Sequence, residues 1–280
     1  MSNAAADASP FELVIEPGLA SKNYWFDLWR YRELLYFLAW RDIVVRYKQT
    51  AIGIAWALLR PALTMVVFVA FRRLAGMQPG GIPDPVLVFA AVLPWQFFST
   101  ALSESSSSLI GNANLISKVY FPRLIVPWAS VVTAFVDFLI TLGLLAVLMA
   151  WYRIAPGWQL AVLPLFVAMA FGLSLGAGLL LAALNVEYRD FRYIVPFIVQ
   201  FGLFVSPIAF TSANLPERWR TVYALNPMVG IIDGFRWSLL GGYARFDAWT
   251  IGVSGVVTAA FVLLGIGYFR RMERSFADVI

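Results

Sequence analysis

Residues 124–152 read LIVPWASVVTAFVDFLITLGLLAVLMAWY, a run in which Asp137 is the one ionisable side chain before the closing Tyr152. About 20 helical residues at roughly 1.5 Å each cross the hydrocarbon core of a bilayer, so this run is long enough to span. Its apolar residues are continuous and lack the alternation of a lipid-facing barrel strand, which leaves a helix as the reading. Working outward, stretches of the same kind occupy 51–71, with only Arg60 inside, 86–102, and 248–269. Two more lie within 154–186 and within 193–216. The predicted fold is therefore an all-α integral membrane protein with six transmembrane helices.

Composition agrees. The chain is 61% hydrophobic and 13% charged, with mean hydropathy +0.76, against roughly 25% charged residues in soluble domains. It has no cysteine and no histidine, which excludes disulfides, thiolate zinc sites, cysteine nucleophiles and histidine-based triads. The net charge of +5 is spread between apolar runs. It forms no basic patch of the nucleic-acid-binding kind, so no nucleic-acid partner is expected. Residues 1–18 carry Asp7, Glu12 and Glu16 without Lys or Arg and precede no nearby secretory h-region, so no cleaved signal peptide is expected.

The basic residues instead report topology. With both termini in the cytoplasm, Lys and Arg show a roughly twofold excess on the cytoplasmic side, which favours a multi-pass chain with N- and C-termini inside. Arg72 and Arg73 fall on the outer side and are expected to snorkel from a helix end.

Three segments do not read as simple spans. In 24–48 the apolar run 34–40 is too short to cross and lies among many charges, so an interfacial amphipathic helix on the cytoplasmic leaflet is predicted. Residues 109–122 form a short connection that Pro122 ends. Residues 211–247 contain an apolar piece, 221–232, broken at Asn226-Pro227. Two short re-entrant or interfacial helices before the last span would fit it, because irregular backbone at membrane depth must be buried or line a cavity. The domain reading is a tail at 1–23, the interfacial helix at 24–50 and a six-helix transmembrane domain at 51–280.

A mid-span aspartate costs about 2.5 to 3.5 kcal/mol on insertion scales, so Asp137 needs compensation. It is either a channel or relay group or an inward residue bonded to a neighbouring helix. The second reading is preferred, since no other intramembrane carboxylate or histidine stands ready for a relay. Glu104 falls at the inner end of the second span, where Ser103 and Ser105 to Ser108 would satisfy it. Phe197, Phe201 and Phe204 share one helical face by their spacing. Such a stripe ordinarily faces lipid or core, but aromatic faces also attract the C–H faces of sugars. Trp95, Phe97 and Phe98 are weaker candidates for the same lining. Gly172 and Gly176 form a small-xxx-small pair, and Pro94, Pro127, Pro164, Pro196 and Pro207 interrupt the spans. No G-x-x-x-x-G-K-[ST] loop is present, so if transport is ATP-driven the ATPase is a separate polypeptide.

Several motifs carry a resemblance. Arg46-Tyr47-Lys48-Gln49-Thr50, Ile52-Gly53 and Trp56-Ala57-Leu58-Leu59-Arg60-Pro61 come first. Leu93-Pro94-Trp95-Gln96-Phe97-Phe98 follows, then Asn112-Ala113-Asn114-Leu115-Ile116-Ser117-Lys118-Val119-Tyr120-Phe121-Pro122-Arg123. Last come Leu215-Pro216-Glu217, Ala224-Leu225-Asn226-Pro227-Met228 and Arg236. In this order they resemble the permeases of O-antigen and capsular polysaccharide ABC exporters, the Wzm-like group of type-two ABC permeases, with teichoic-acid exporters as relatives.

The resemblance implies a non-catalytic, channel-forming subunit of the bacterial inner membrane that moves a lipid-linked polysaccharide. It acts as a homodimer with two cytoplasmic ABC ATPase subunits, and with no metal or cofactor. Teichoic acid, another lipid-linked polymer or a small hydrophobic compound is the alternative cargo. ATPase coupling is implied for Asn112, Asn114, Lys118, Tyr120, Arg41 and Arg46, contact with lipid headgroups or a lipid-pyrophosphate for Arg60, and an outer gate for Asn226 and Pro227. A glycosyltransferase would need clustered acids in a soluble loop, where only Glu217, Asp233 and Asp247 occur. A proton-driven carrier would need paired membrane carboxylates.

Overall fold

Apolar runs that must satisfy their own backbone in lipid can only close i to i−4 hydrogen bonds, and helices dominate the molecule. A computed structural model describes residues 24–48, 55–77, 81–188, 190–212, 216–241, 246–273 and 276, and no strand occurs among them. The motif residues Gln49, Thr50, Ile52, Gly53 and Leu215, and the tail 1–23, lie outside the described residues.

In chain order the helices are α1 (Tyr24–Arg30), α2 (Arg32–Lys48), α3 (Ala55–Leu74), α4 (Asp84–Gly111), α5 (Ala113–Lys118) and α6 (Ile125–Trp151). After a 3-10 turn at Trp158–Val162 come α7 (Leu163–Glu187), α8 (Phe191–Val205), α9 (Glu217–Ala224), α10 (Pro227–Leu240) and α11 (Ala248–Met272). Among the described residues five helices, α3, α4, α6, α7 with its preceding turn, and α11, are long and apolar enough to cross a membrane. The protein is an integral membrane helical protein.

The run that decided the fold is α6, almost residue for residue. α4 is longer than the 86–102 read from hydropathy, because the serines that follow do not break it. Ser103, Ser106 and Ser108 each bond back to a carbonyl of the preceding turn, those of Ser99, Ser103 and Ser105, at 2.8, 2.9 and 2.7 Å. The helix stops at Asn112, whose amide donates to the Ser108 carbonyl at 2.9 Å.

α8 differs from the expected fifth span. It has 15 residues, about 22 Å at 1.5 Å per residue, short of the roughly 30 Å core. Ser206 precedes a proline and is extended, at φ −84 and ψ 152. Pro207 has no N–H to continue the ladder, so the helix ends there. The two short helices foreseen around Asn226-Pro227 are α9 and α10. The Asn226 side chain accepts the Met228 N–H at 3.1 Å and Pro227 takes the first helical position, a favourable start for a helix. Nearly every residue of α10 is buried, against α4, α7 and α11.

α4 is the central helix and packs on α3, α6, α7, α8 and α10. α7 and α11 pair closely where a Cβ on Gly265 would lie 2.0 Å from the Gly176 carbonyl oxygen. Gly172, the other half of the sequence pair, would make only ordinary contact at 3.6 Å.

Arg72 corrects the snorkelling expectation. Its side chain is buried, pairs with Asp84 at 3.0 Å and donates to the Ala209 carbonyl at 2.6 Å, so its charge is matched inside the protein and has no need of the interface. Arg73 is exposed.

One end of the bundle gathers α1, α2, α5, the turn between α7 and α8, and the end of α11. There the Arg123 N–H donates to Glu273 at 2.7 Å, Tyr268 donates to Glu187 at 2.8 Å, and Phe269 meets Phe276 at 5.3 Å. Burial pushes the Glu273 carboxyl above its ordinary value against the Arg123 donor. Trp25, Phe26 and Trp29 on α1 and Tyr36, Phe37 and Trp40 on α2 are exposed, the residue types favoured at a membrane interface.

Candidate functional site

Beside the end of α2, a cleft of about 400 Å³ opens between α3, α4 and α6. Gln96, Thr100 and Glu104 recur every four residues, so they form a polar stripe along one face of α4. Asp137 and Thr141 do the same on α6, and all five line the cleft together with Arg60 of α3.

The floor of the cleft is an ionic cluster. The Arg46 guanidinium donates to Glu104 at 2.5 Å through one nitrogen and to Asp137 through the other. Tyr47 donates its hydroxyl to the second Asp137 oxygen. Burial works against the Arg46 charge, but Glu104 and Asp137 outweigh it and raise its pKa. Burial and the bond to Asp137 hold the Tyr47 phenol above its usual range.

Asp137 is thus turned inward and bonded, but its partners come from the N-terminal helix and not from another span. Glu104 is not satisfied by the serines: Ser103, Ser106, Ser107 and Ser108 turn back onto their own helix and Ser105 does not reach it. It shares the guanidinium with Asp137, so the span aspartate has a second carboxylate beside it. The 58- and 91-residue separations of these pairs left no local signal for either contact.

The other coupling candidates collect nearby. Arg41 donates to the Asn112 side chain at 3.1 Å and pairs with Asp42 at 2.8 Å, so α2 and the α4–α5 junction are fastened together. Asn114, Lys118 and Tyr120 are exposed. Arg46 points inward instead.

The aromatic candidates divide. Phe197, Phe201 and Phe204 are 65%, 58% and 66% exposed, and the first two rings stack with centroids 5.7 Å apart. Trp95 is buried against the opposite face of α8, where a Cβ on Gly202 would meet it at 2.5 Å. Phe98 lies beside Trp95 at 5.6 Å. Phe97 packs on Phe135, Phe138 and Phe171 and borders the cleft.

At the far end, Arg236 is fully buried and donates to the carbonyls of Leu87, Ile208 and Phe210 at 3.2, 2.9 and 2.9 Å. With the Arg72 bond to Ala209, two guanidinium groups take three successive carbonyls of the stretch after α8. Ser212 donates to Asp233, and the Asn226 amide reaches Ser206 at 3.4 Å. Sequence reading had used Arg236 only as part of a motif. The missed signal was the Ser206-Pro207 break, because irregular backbone at membrane depth needs donors. No group of three or more His, Cys, Asp or Glu able to hold a metal occurs among the described residues.

These elements make a multi-pass helical bundle with an ion-paired cleft and an N-terminal helix tied into its spans. The chain belongs to the ABC-2 type transporter family, whose pattern matches residues 33–240. It is a non-catalytic transmembrane subunit, and permeases of this family pair with ABC ATPase subunits. It is similar to the O-antigen export system permease protein RfbA of Myxococcus xanthus, 28% identical over 257 residues that cover 91% of this chain and 98% of that one. Two proteins of the same name from Klebsiella pneumoniae are 25% identical over 253 and 255 residues, 89% of this chain and 95% of theirs.

Proposed function

We propose that this permease forms the path by which an ATP-driven exporter moves a lipid-linked polysaccharide of O-antigen or capsule type across the bacterial inner membrane. The observation that carries the reading is the near full-length likeness to permeases named for O-antigen export. Two copies and two ATPase subunits make the transporter. Phe197, Phe201 and Phe204 face the path between the copies, with Trp95, Phe97 and Phe98 backing them. The ATPase docks on Arg41, Asn112, Asn114, Lys118 and Tyr120. Arg60 takes an anionic headgroup or pyrophosphate at the mouth of the cleft, and Asn226-Pro227 starts the outer gate.

The test of cargo is deletion of the gene in its own bacterium. Surface polysaccharide is expected to fall at least about ten-fold while lipid-linked chains accumulate on the inner leaflet, the outcome of losing an essential transport step. Unchanged surface polysaccharide would overturn the assignment.

In the bilayer, α8 and the stretch after it complete a sixth crossing, α9 and α10 re-enter from outside, and both termini are cytoplasmic. The proposed division keeps the segment 1–23, which lies outside the described residues, apart from an interfacial segment at 24–50 that holds α1 and α2 and a permease domain at 51–280. A single cysteine at position 81 or 212 is expected to react with an impermeant maleimide while the inner membrane is intact, and the chain's lack of native cysteine makes the readout clean. Labelling at 81 only after that membrane is opened rejects this topology.

A further inference from the structure

We propose that Arg46 is the positioning residue through which movement of the N-terminal helix reaches the membrane spans, with Glu104 and Asp137 as its two anchors. This rests on the reading that an ATPase docks on α2 and α5. One guanidinium joins three elements, α2 through its own backbone, α4 through Glu104 and α6 through Asp137. A planar fork with donors in fixed directions holds both partners in a set geometry, which a single apolar contact between helices cannot do.

Each carboxylate also has little alternative. Ser103, Ser106 and Ser107 are engaged on their own helix, Ser105 bonds to neither carboxylate, and among the described residues the two side chains that hold the Asp137 carboxylate both come from α2. A charge at this depth that lost its partner would be costly. Displacement of α2 therefore carries α4 and α6 with it rather than leaving two carboxylates behind. α4 and α6 are walls of the cleft, and Arg46 and Tyr47 close its floor, so the same movement changes the shape of the cleft. Arg41, five residues earlier, ties α2 to Asn112. A push on either docking element thus arrives at the same guanidinium.

The experiment uses the intact permease–ATPase complex in the native bacterium. It compares wild type with Asp137→Asn, Glu104→Gln and the neutral triple R46Q/E104Q/D137N. Membrane abundance, ATPase co-purification, ATP hydrolysis and surface polysaccharide are measured together. Each variant is expected to keep the ATPase bound and hydrolysing while export per ATP falls about ten-fold, inside the roughly 5–150-fold range of coupling between sites. The triple decides the matter if a single variant is poorly folded, because it leaves no unpaired charge in the membrane. Wild-type export per ATP by the triple would reduce the cluster to charge neutralisation and overturn the proposal. Cysteine crosslinks from α2 and α5 to the ATPase in the wild-type background report on docking separately. Their absence sinks the docking reading, whereas a fully coupled triple sinks this one.

Discussion

Arg236→Met is expected to lower the amount of folded permease in the membrane at least about ten-fold, a loss that corresponds to about 1.4 kcal/mol or more. Methionine fills much of the same volume, so the change removes donors more than packing. Three carbonyls lose their partner, that of Ile208 in a buried bond and those of Leu87 and Phe210 in partly buried ones. An unsatisfied buried group costs about 1–3 kcal/mol. Hydrogen bonds measured within membrane bundles average only about 0.6 kcal/mol, so three of them lie between about 2 and 9 kcal/mol. Even the lower figure is a large share of a total stability of about 5–15 kcal/mol. Arg236→Lys keeps the charge but cannot aim at carbonyls on both α4 and the Ile208–Phe210 stretch, so an intermediate loss is expected. Immunoblots of membranes and the melting temperature of the purified protein check both, and wild-type values for the methionine variant would show that other donors serve these carbonyls.

Hydropathy revealed the long helices because lipid imposes a simple length and polarity rule, and α6 follows it with one interruption. The rule fails where polarity is handled inside the helix or between distant segments. The serine run extended α4 because its hydroxyls, Ser105 excepted, bond to carbonyls on their own turn. Conversely, the apolar stretch within 193–216 looked long enough to span, yet Ser206-Pro207 ended α8 after 15 residues. Arg72 read as a surface charge because its partners, Asp84 and the Ala209 carbonyl, are not adjacent in sequence; the second is 137 residues away.

The candidate site divides in the same way. The segments proposed for ATPase docking were legible as polar segments with helical length. The pairing of Arg46 with Glu104 and Asp137 was not, since it joins three elements whose contact only folding creates. Asp137 did announce that something must compensate for it. No one-dimensional pattern named Arg46 as the partner, because a basic residue before the first span is also what topology alone would place there.

Replacing Phe197, Phe201 and Phe204 together by leucine is expected to cut surface polysaccharide at least about ten-fold at normal membrane abundance, if stacking of about 0.5–1.5 kcal/mol per ring is lost at each position. Abundance should hold because these side chains do not build the subunit. They are mostly exposed, while Val195 is buried and Gly202 meets Trp95 on the side of α8 that packs inward. Leucine is also about as apolar as phenylalanine in hydrocarbon, so a stripe that faces lipid would accept the change without consequence. A stripe that faces sugar would not, since leucine keeps the apolar surface but loses the flat ring against which C–H groups pack. The stacked pair Phe197 and Phe201, tilted by only 9° to each other, presents two such faces in succession along the helix, the spacing a sliding chain of sugar rings could use. Each single replacement should cost less than the triple, because a neighbouring ring can take over the contact. Quantitative staining of surface glycan against permease abundance separates the cases, and wild-type export by the triple variant would place these rings against lipid.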